Sequence, residues 1–269
     1  MAEPKTQKQN YRNFASRFAG YIANMERPKW LPKRLIKRFK KKFKIDLKDF
    51  DIPENGFKTF NSFFTRKFKV GVRAIEDGIV SPVDGIVFDY GHVDPLNQIH
   101  VKFKHYYIDD LIFEGIKDLR SYAVLYLSPS HYHRVHACFD MQIDRIKYLP
   151  GTLRSVREKV VGKKNRVYCR NERIVIHGKS QYGKFYFILV GAMFVGKVKL
   201  SFESGLETNI KKGEPSNIIF DEVINIKKGE ELGYFEMGSS VIILLENKNL
   251  ENILFNINDD IRVGQKIAD

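Results

Sequence analysis

The stretch GEELGYFEMGSSVIILLE, residues 229–246, decides the fold prediction. One apolar run ends just before the Gly-Ser-Ser bend, and a second covers residues 241–245. Short apolar runs that are bounded by turn residues are typical of buried β-strands. Ser239 and Ser240 are unusual inside such a strand, because a buried hydroxyl group needs a hydrogen-bond partner. Taken alone, the bend is most simply explained as a hairpin turn or a bulge.

Similar runs, separated by Gly, Pro, Asn and Asp, continue through most of the chain and predict many short strands. They cover residues 79–89, 97–103, 121–127, 139–148, 173–177, 184–190, 193–200, 217–226 and 240–246. The C-terminal residues 260–269 predict a last short strand with a turn at Gly264. The predicted fold class is therefore α+β, with a single mainly β core domain (a barrel or sandwich) and amphipathic helices at the N-terminus.

The N-terminal segment predicts two amphipathic helices. Residues 10–26 carry apolar side chains at helical spacing, and Pro28 and Pro32 interrupt the pattern. A second helix then follows, with its apolar residues on one stripe: Leu31, Leu35, Phe39 and Phe43. Residues 58–68 predict a short third helix with a phenylalanine-rich face.

Most of the net charge of +14 lies in this segment, because residues 1–50 contain fifteen basic and four acidic residues, a net charge of +11. A basic amphipathic helix with bulky apolar residues favours the surface of an anionic membrane. A solvated face on a packed helix is the second interpretation. Binding to nucleic acid is the third interpretation. It ranks last because the aromatic residues do not interleave with the basic ones, as a base-stacking surface requires. We expect no nucleic-acid partner.

Targeting and redox signals are weak. The first ten residues contain no secretory signal, and no apolar run reaches the ~18 residues that span a bilayer. We therefore expect a peripheral protein on the cytoplasmic face of the cell membrane. Cys138 and Cys169 are isolated from each other, which favours a reducing compartment over a disulfide scaffold.

Two motifs carry candidate chemistry besides the Gly-Ser-Ser bend. SPVDG at 81–85 is a turn that can present Asp84 as an orienting carboxylate. LSPSHYHRVH at 127–136 contains three of the seven histidines. A zinc site with Cys138 would need ligands from both faces of one strand, so we expect no metal and assign general-base chemistry to this motif.

Asp, His and Ser together can form an activated serine nucleophile. The G-x-S-x-G elbow of serine hydrolases is absent, and the nearest electrophile is the carbonyl of Gly238. A serine hydrolase stays an alternative. A biotinyl- or lipoyl-type carrier module is another, although no lysine is displayed at a hairpin tip with small neighbours.

At this point the sequence resembles the phosphatidylserine decarboxylases from about residue 57 onward. The similar blocks include FNSFFTRKFKVGVRAI at 60–75, SPVDG, LSPSHYHRVH, GAMFVGKV at 191–198, GYFEMGSSVIILLE at 233–246 and VGQKIA at 263–268. The resemblance implies domain bounds of 1–56 for a membrane-associating segment and 57–269 for the catalytic domain.

The resemblance also implies that a proenzyme cleaves itself between Gly238 and Ser239. The products would be a β chain, 1–238, and an α chain, 239–269, whose first residue becomes a pyruvoyl group. His136, oriented by Asp84, would take the proton of Ser239.

The pyruvoyl group would form a Schiff base with phosphatidylserine, and His133 would return a proton to yield phosphatidylethanolamine. The expected partners are this substrate, an anionic membrane surface and the two chains of one proenzyme. A homodimer is compatible with the sequence.

Four residues depart from the family pattern: His131, Ser240, Lys197 and Ala74. None is an expected catalytic residue. These departures concern substrate contacts more than the reaction. The main alternative is an uncleaved lipid-binding relative without catalysis, which differs from the enzyme only in the absence of cleavage.

Overall fold

The computed structural model describes residues 11–193, 197–206, 208–210, 213–236 and 239–269. Three sequence predictions fall on other residues. These are the beginning of the N-terminal helix before residue 11, part of the strand at 193–200, and the Met237-Gly238 side of the expected cleavage site. They lie outside the described residues.

The described helices are α1 (Tyr11–Ala23), α2 (Trp30–Phe43), α3 (Phe60–Phe64), α4 (Ile108–Ile112), α5 (Glu158–Val161) and α6 (Val167–Arg170). The first three agree with the helices that the sequence predicts. Pro32 lies inside the first turn of α2 and does not break it, because backbone N–H groups in a first turn have no helical partner. Helix α3 begins where Thr59 and Ser62 exchange capping hydrogen bonds.

The described strands are β1 (Ile79–Val80), β2 (Gly85–His92), β3 (Gln98–Val101), β4 (Lys104–Tyr107), β5 (Ser121–Leu127), β6 (Arg134–His136), β7 (Met141–Leu149), β8 (Arg173–Ser180), β9 (Gly183–Val190), β10 (Val198–Leu200), β11 (Ser216–Ile226), β12 (Glu231–Phe235), β13 (Ser239–Leu245), β14 (Asp260–Ile261) and β15 (Lys266–Ala268). The sequence pattern did not predict β4 as a separate strand. The C-terminal strand and its turn at Gly264 are confirmed, with φ +84° at that glycine.

An eight-stranded antiparallel sheet forms the centre of the molecule, in the order β11-β7-β8-β9-β13-β5-β2-β14. The described residues also form smaller sheets. One contains β10, β12 and β6, another contains β1 and β15, and another contains β3 and β4. Strand β13 lies inside the large sheet, hydrogen-bonded to β9 on one side and to β5 on the other. The fold class is confirmed as mainly β with helices at the N-terminus.

Both faces of β13 are buried, each in its own hydrophobic core. Val241, Ile243 and Leu245 belong to one core, while Ile242 and Leu244 belong to the other. Successive side chains of a strand point to opposite faces of the sheet. A strand between two cores must therefore be apolar at every position, which explains the unbroken VIILL run.

The N-terminal helices pack against α3 through a cluster of phenylalanines. Phe60, Phe63 and Phe64 of α3 are buried, and Phe39 of α2 contacts all three at ring-centroid distances of 5.1–6.1 Å. The apolar stripe that the sequence assigns to α2 is thus partly covered by the protein itself. Among the described residues, no helix combines the length and the apolar character needed to cross a membrane.

Helix α1 is packed with its aromatic side outward. Asn13 and Ser16 are buried, and Asn13 exchanges hydrogen bonds with Gly151 O at 3.1 Å and Leu153 N at 3.3 Å. The outer face carries three aromatic side chains that are more than half exposed: Phe14 (66%), Phe18 (57%) and Tyr21 (67%). An exposed apolar patch of this kind commonly marks a surface for a partner or a membrane.

The central strand generates a stability prediction. We expect Ile243→Ala to lower the free energy of unfolding by about 2–5 kcal/mol, because the truncated side chain leaves a cavity inside the sheet. Ile219→Ala on the edge strand β11, where the side chain is 69% exposed, should change it by less than about 0.5 kcal/mol. Urea denaturation of both variants measures the difference. Equal losses would contradict the central position of β13.

Candidate active site

The pairing of four strands relates the positions of the expected site residues His133 and Ser239. Strands β13 and β5 pair with Ser239 opposite Leu127, and β12 and β6 pair nearby. Residues 128–133 lead from β5 to β6, and residues 236–238 lead from β12 to β13. Phe235 N donates to His133 O at 2.9 Å, which joins the ends of the two connections. His133 and Ser239 therefore lie at the same end of the paired strands.

Ser239 is fully buried, and its Oγ has no hydrogen-bond partner among the described residues. An unpaired buried hydroxyl costs roughly 1–3 kcal/mol, and such groups in folded proteins call for an explanation. A reactive role is one explanation. The side chains alternate along the strand, so Ser240 points to the opposite face of the sheet.

His133 is also fully buried. Its Nδ1 contacts His131 O at 2.8 Å, which assigns the ring proton to Nδ1, and its Nε2 has no partner among the described residues. The ring lies 4.0 Å from the ring of Phe64, centroid to centroid. Burial, together with the nearby Arg66 charge, holds the pKa of His133 well below its ordinary value. The imidazole is therefore neutral and presents a free acceptor nitrogen.

His136 differs, because both of its ring nitrogens are engaged. Nδ1 donates to Gly229 O at 2.8 Å, and Nε2 lies 3.1 Å from the hydroxyl of Tyr132. Burial lowers the pKa of His136 as well, so the ring is neutral near pH 7. Tyr132 is a residue that the sequence analysis missed. Its position as the first residue of the YHRVH motif was the sequence signal that could have identified it.

Asp84 does not make the contact that the sequence analysis expected. Its Oδ2 accepts from Arg73 Nη2 at 2.9 Å, and its Oδ1 accepts from Val263 N at 2.8 Å. The SPVDG turn does lie beside β6, since His136 N donates to Pro82 O at 2.9 Å. Asp84 thus makes no direct hydrogen bond to His136; burial lowers the pKa of that imidazole, and the negative charge of Asp84 opposes this shift only weakly.

Arg66 is a second residue that the sequence analysis missed, although an arginine within FFTRKF is conspicuous. Its guanidinium lies 4.3 Å from the Phe50 ring and 5.3 Å from the Phe63 ring. It also donates to Ser130 O at 3.4 Å. Burial lowers the pKa of Arg66 to about 10, so the group stays charged at neutral pH. It tethers the histidine-containing connection to α3.

An apolar cavity of about 510 Å³ extends from the N-terminal helices to neighbours of these residues. Its lining includes Phe64, which packs on His133, and Leu127, which pairs with Ser239. Its basic lining residues are Arg38, Lys42 and Arg157. A cavity that is apolar along its length and carries a few cations suits a ligand with a hydrocarbon part and an anionic group.

The buried histidine generates a pH prediction. Below about pH 6.5 an unfolded histidine gains a proton, whereas folded His133 stays neutral because its pKa is lowered. Stability should therefore be unaffected by this group above pH 6.5 and fall as the pH drops below it, by up to about 1.4 kcal/mol per pH unit.

Replacing the buried ring should remove this contribution. We expect His133→Asn to flatten the slope between pH 6.5 and 5.5 in urea denaturation. His92→Asn is the control, since His92 is exposed. Equal slopes in the wild type and in His133→Asn would contradict the assignment of a buried neutral imidazole.

Comparisons with known proteins identify the family of this chain. The sequence model of the family described as phosphatidylserine decarboxylase matches residues 60–269. A phosphatidylserine decarboxylase proenzyme of Campylobacter jejuni is 33% identical over 264 residues, which cover 95% of this chain and 98% of the relative. Proenzymes of the same name from Brevibacillus brevis and Helicobacter pylori are 36% and 30% identical, over 77% and 96% of this chain and 77% and 97% of their own lengths. These matches confirm the resemblance seen in the sequence, and the chain belongs to the phosphatidylserine decarboxylase family.

Proposed function

We propose that this chain converts phosphatidylserine to phosphatidylethanolamine, using a pyruvoyl group that it makes from its own Ser239. The observation that carries the proposal is that two buried groups without a partner among the described residues, Ser239 Oγ and His133 Nε2, belong to residues at the same end of the paired strands. Both atoms are costly to bury without a partner, and the reaction gives each of them a use. The relatives named above are proenzymes, which supports self-processing.

The proposed cleavage begins with Ser239 Oγ, which loses its proton and attacks the carbonyl carbon of Gly238. The amide nitrogen of residue 239 leaves with a proton, so an ester replaces the peptide bond. Loss of the Cα proton then breaks the ester C–O bond and releases the Gly238 carboxylate. Water replaces the remaining nitrogen, which departs as ammonia, and a ketone stays at position 239.

We assign the Ser239 proton to His136 and the later proton transfer to His133. Both rings are neutral, as a general base requires. His136 Nε2 becomes available when the Tyr132 hydroxyl gives up its 3.1 Å contact, so Tyr132 controls that base. Asp84 supports His136 through its negative charge.

A ketone at position 239 supplies a carbonyl that condenses with the substrate amine and accepts the electrons left as CO₂ departs. The side chains of the protein hold and transfer protons. We assign to His133 the proton for the substrate α-carbon, and the contact with Phe64 supports the orientation of its ring. The surrounding burial limits the access of bulk water, which reduces competing protonation at the reacting carbon.

The cavity fits the substrate class. Apolar side chains of α1, α2 and α3 line its outer part, where acyl chains would lie. Arg38, Lys42 and Arg157 provide positive charge for the lipid phosphate. An uncleaved lipid-binding protein would use the same cavity, so the cavity supports the lipid and the cleavage must be tested separately.

Helix α1 supports association with a membrane. Phe14, Phe18 and Tyr21 form its outer face and Trp30 is also exposed, while the lysines and arginines of α2 lie nearby in the chain. Aromatic side chains at the interface and cations near anionic lipids both favour binding to such a surface. We propose peripheral association with the cytoplasmic face of the cell membrane, with the cavity open toward the lipid.

Intact-mass analysis of the denatured protein tests the cleavage. We expect a 31-residue fragment, 239–269, whose mass is about 17 Da below that of the peptide with an ordinary serine, because ammonia is lost. Ser239→Ala should leave one full-length chain without decarboxylase activity. Ser240→Ala is the matched control and should still be cleaved, since its hydroxyl points to the other face of the strand.

The same assay separates the two histidines. His136→Ala should stay uncut, whereas His133→Ala should be cut and decarboxylate at least about 100-fold more slowly. An uncut His133→Ala together with a normally cut His136→Ala would reverse the assigned roles. A wild type that remains one full-length chain would favour the uncleaved lipid-binding alternative.

Vesicle co-sedimentation tests the role of α1. We expect Phe14→Ser/Phe18→Ser/Tyr21→Ser to weaken binding to anionic vesicles by at least about tenfold, because each change removes apolar area from the interface. Ile219→Ser is the control, since that side chain is comparably exposed (69%) but lies on β11 and not on α1. Unchanged binding by the triple variant would exclude α1 as the membrane contact.

A further inference from the structure

A tight hairpin away from the candidate active site places two histidines opposite each other. Strands β3 and β4 are joined by Lys102 and Phe103, both with positive φ (47° and 63°), as in a two-residue type I′ turn. Val101 and Lys104 flank the turn, and His100 and His105 are the next pair. In such a hairpin the second pair is not hydrogen-bonded, and its side chains come closest together.

The hairpin is held firmly on its other face. Ile99, Val101 and Tyr106 are buried in a hydrophobic core, while His100 and His105 face solvent with ring centroids 4.4 Å apart. The backbone of His100 is also fixed, because the Tyr122 hydroxyl donates to its carbonyl oxygen. The two imidazoles are therefore presented together by a rigid support.

Asp94 completes a cluster of three groups. Its Oδ2 lies 2.9 Å from His100 Nε2, and its Oδ1 accepts from Leu96 N and Gln98 N, each at 2.9 Å. These two backbone bonds orient the carboxylate before any ligand arrives. Within the described ranges, one potential ligand atom each from Asp94, His100 and His105 lies within 4.8 Å of the others.

This combination of donors matches a known preference of metal ions. Two neutral imidazoles and a carboxylate suit Zn²⁺, which they bind at about 2.0–2.2 Å, and water can occupy a fourth position. The 2.9 Å separation of Asp94 Oδ2 and His100 Nε2 suits two donors on one ion. A small rotation of the exposed His105 side chain brings in the third donor.

We propose that Asp94, His100 and His105 bind one divalent transition-metal ion of the zinc class. The ion would connect the two strands of the hairpin to the segment that precedes β3. The site does not include any residue of the proposed decarboxylation chemistry, so the two proposals can fail independently. A simple ion pair between Asp94 and His100, beside a histidine ring in an edge-to-face arrangement, is the competing explanation.

Competition between the metal-free full-length protein and a chromophoric chelator for Zn²⁺ tests this site. We expect the wild type to bind one equivalent, and His100→Ala and His105→Ala each to weaken that binding by more than the roughly 10–100-fold effect of losing an outer-sphere partner. Asp94→Asn should weaken it less, because an amide oxygen remains. His92→Ala should bind as the wild type does.

Two further measurements keep the result independent of folding defects. Zn²⁺ should raise the thermal unfolding midpoint of the wild type and leave that of His100→Ala/His105→Ala unchanged. Co²⁺ should give visible absorption bands of a low-coordinate site in the wild type alone. Equal Zn²⁺ affinity in the wild type and the double variant, or a wild type that binds no Zn²⁺, would overturn the proposal.

Discussion

The structure depends on one constraint, which is that β13 must be accommodated between two neighbouring strands and two hydrophobic cores at once. Strands β9 and β5 satisfy its backbone groups, and both faces of residues 241–245 are buried. A strand held in this way cannot slip by one residue, because a slip would exchange the two faces. The position of Ser239, at the first residue of the strand, is therefore fixed by the packing of the residues that follow it. Ser239 thus takes its position from the centre of the sheet, whereas His133 and Asp84 lie in connections between strands.

The N-terminal helices differ from the sheet, because part of their apolar surface is exposed and not packed inside the protein. Helix α1 buries polar Asn13 and Ser16 and leaves its aromatic side chains outward, the reverse of an ordinary surface helix. Helix α2 uses part of its apolar stripe to cover α3 and keeps its lysines and arginines on other faces. Between these helices and the sheet lies the cavity that ends at Phe64 and Leu127. One segment of the chain thus provides both the proposed membrane contact and the route from the membrane to the candidate site.

The sequence predicted the elements that depend on local periodicity, including the three N-terminal helices and the strand at residues 240–246. It did not predict contacts that depend on the pairing of distant segments. Asp84 contacts Arg73 and Val263 because the C-terminal turn packs beside SPVDG, and no local pattern contains that information. Tyr132 contacts His136, four residues further along the chain. An extended strand would keep the side chains of these two residues apart, so the sequence pattern did not predict the contact. The His100–His105 pair became visible only once the hairpin register was known, since the sequence pattern did not separate β3 from β4.

The central position of β13 has a consequence for the lifetime of the processed enzyme. Cleavage before Ser239 would convert one chain into two, yet the smaller chain would keep the hydrogen bonds of β13 to strands of the larger one on both sides. The two chains would then separate only when the sheet unfolds. Reassembly after unfolding would be a bimolecular event that the original unimolecular folding never required, and the fragment would have lost the covalent tether that guided it. The processed protein would therefore persist because it unfolds slowly, and not because it can refold after unfolding. Each molecule would reach its native fold once, before cleavage.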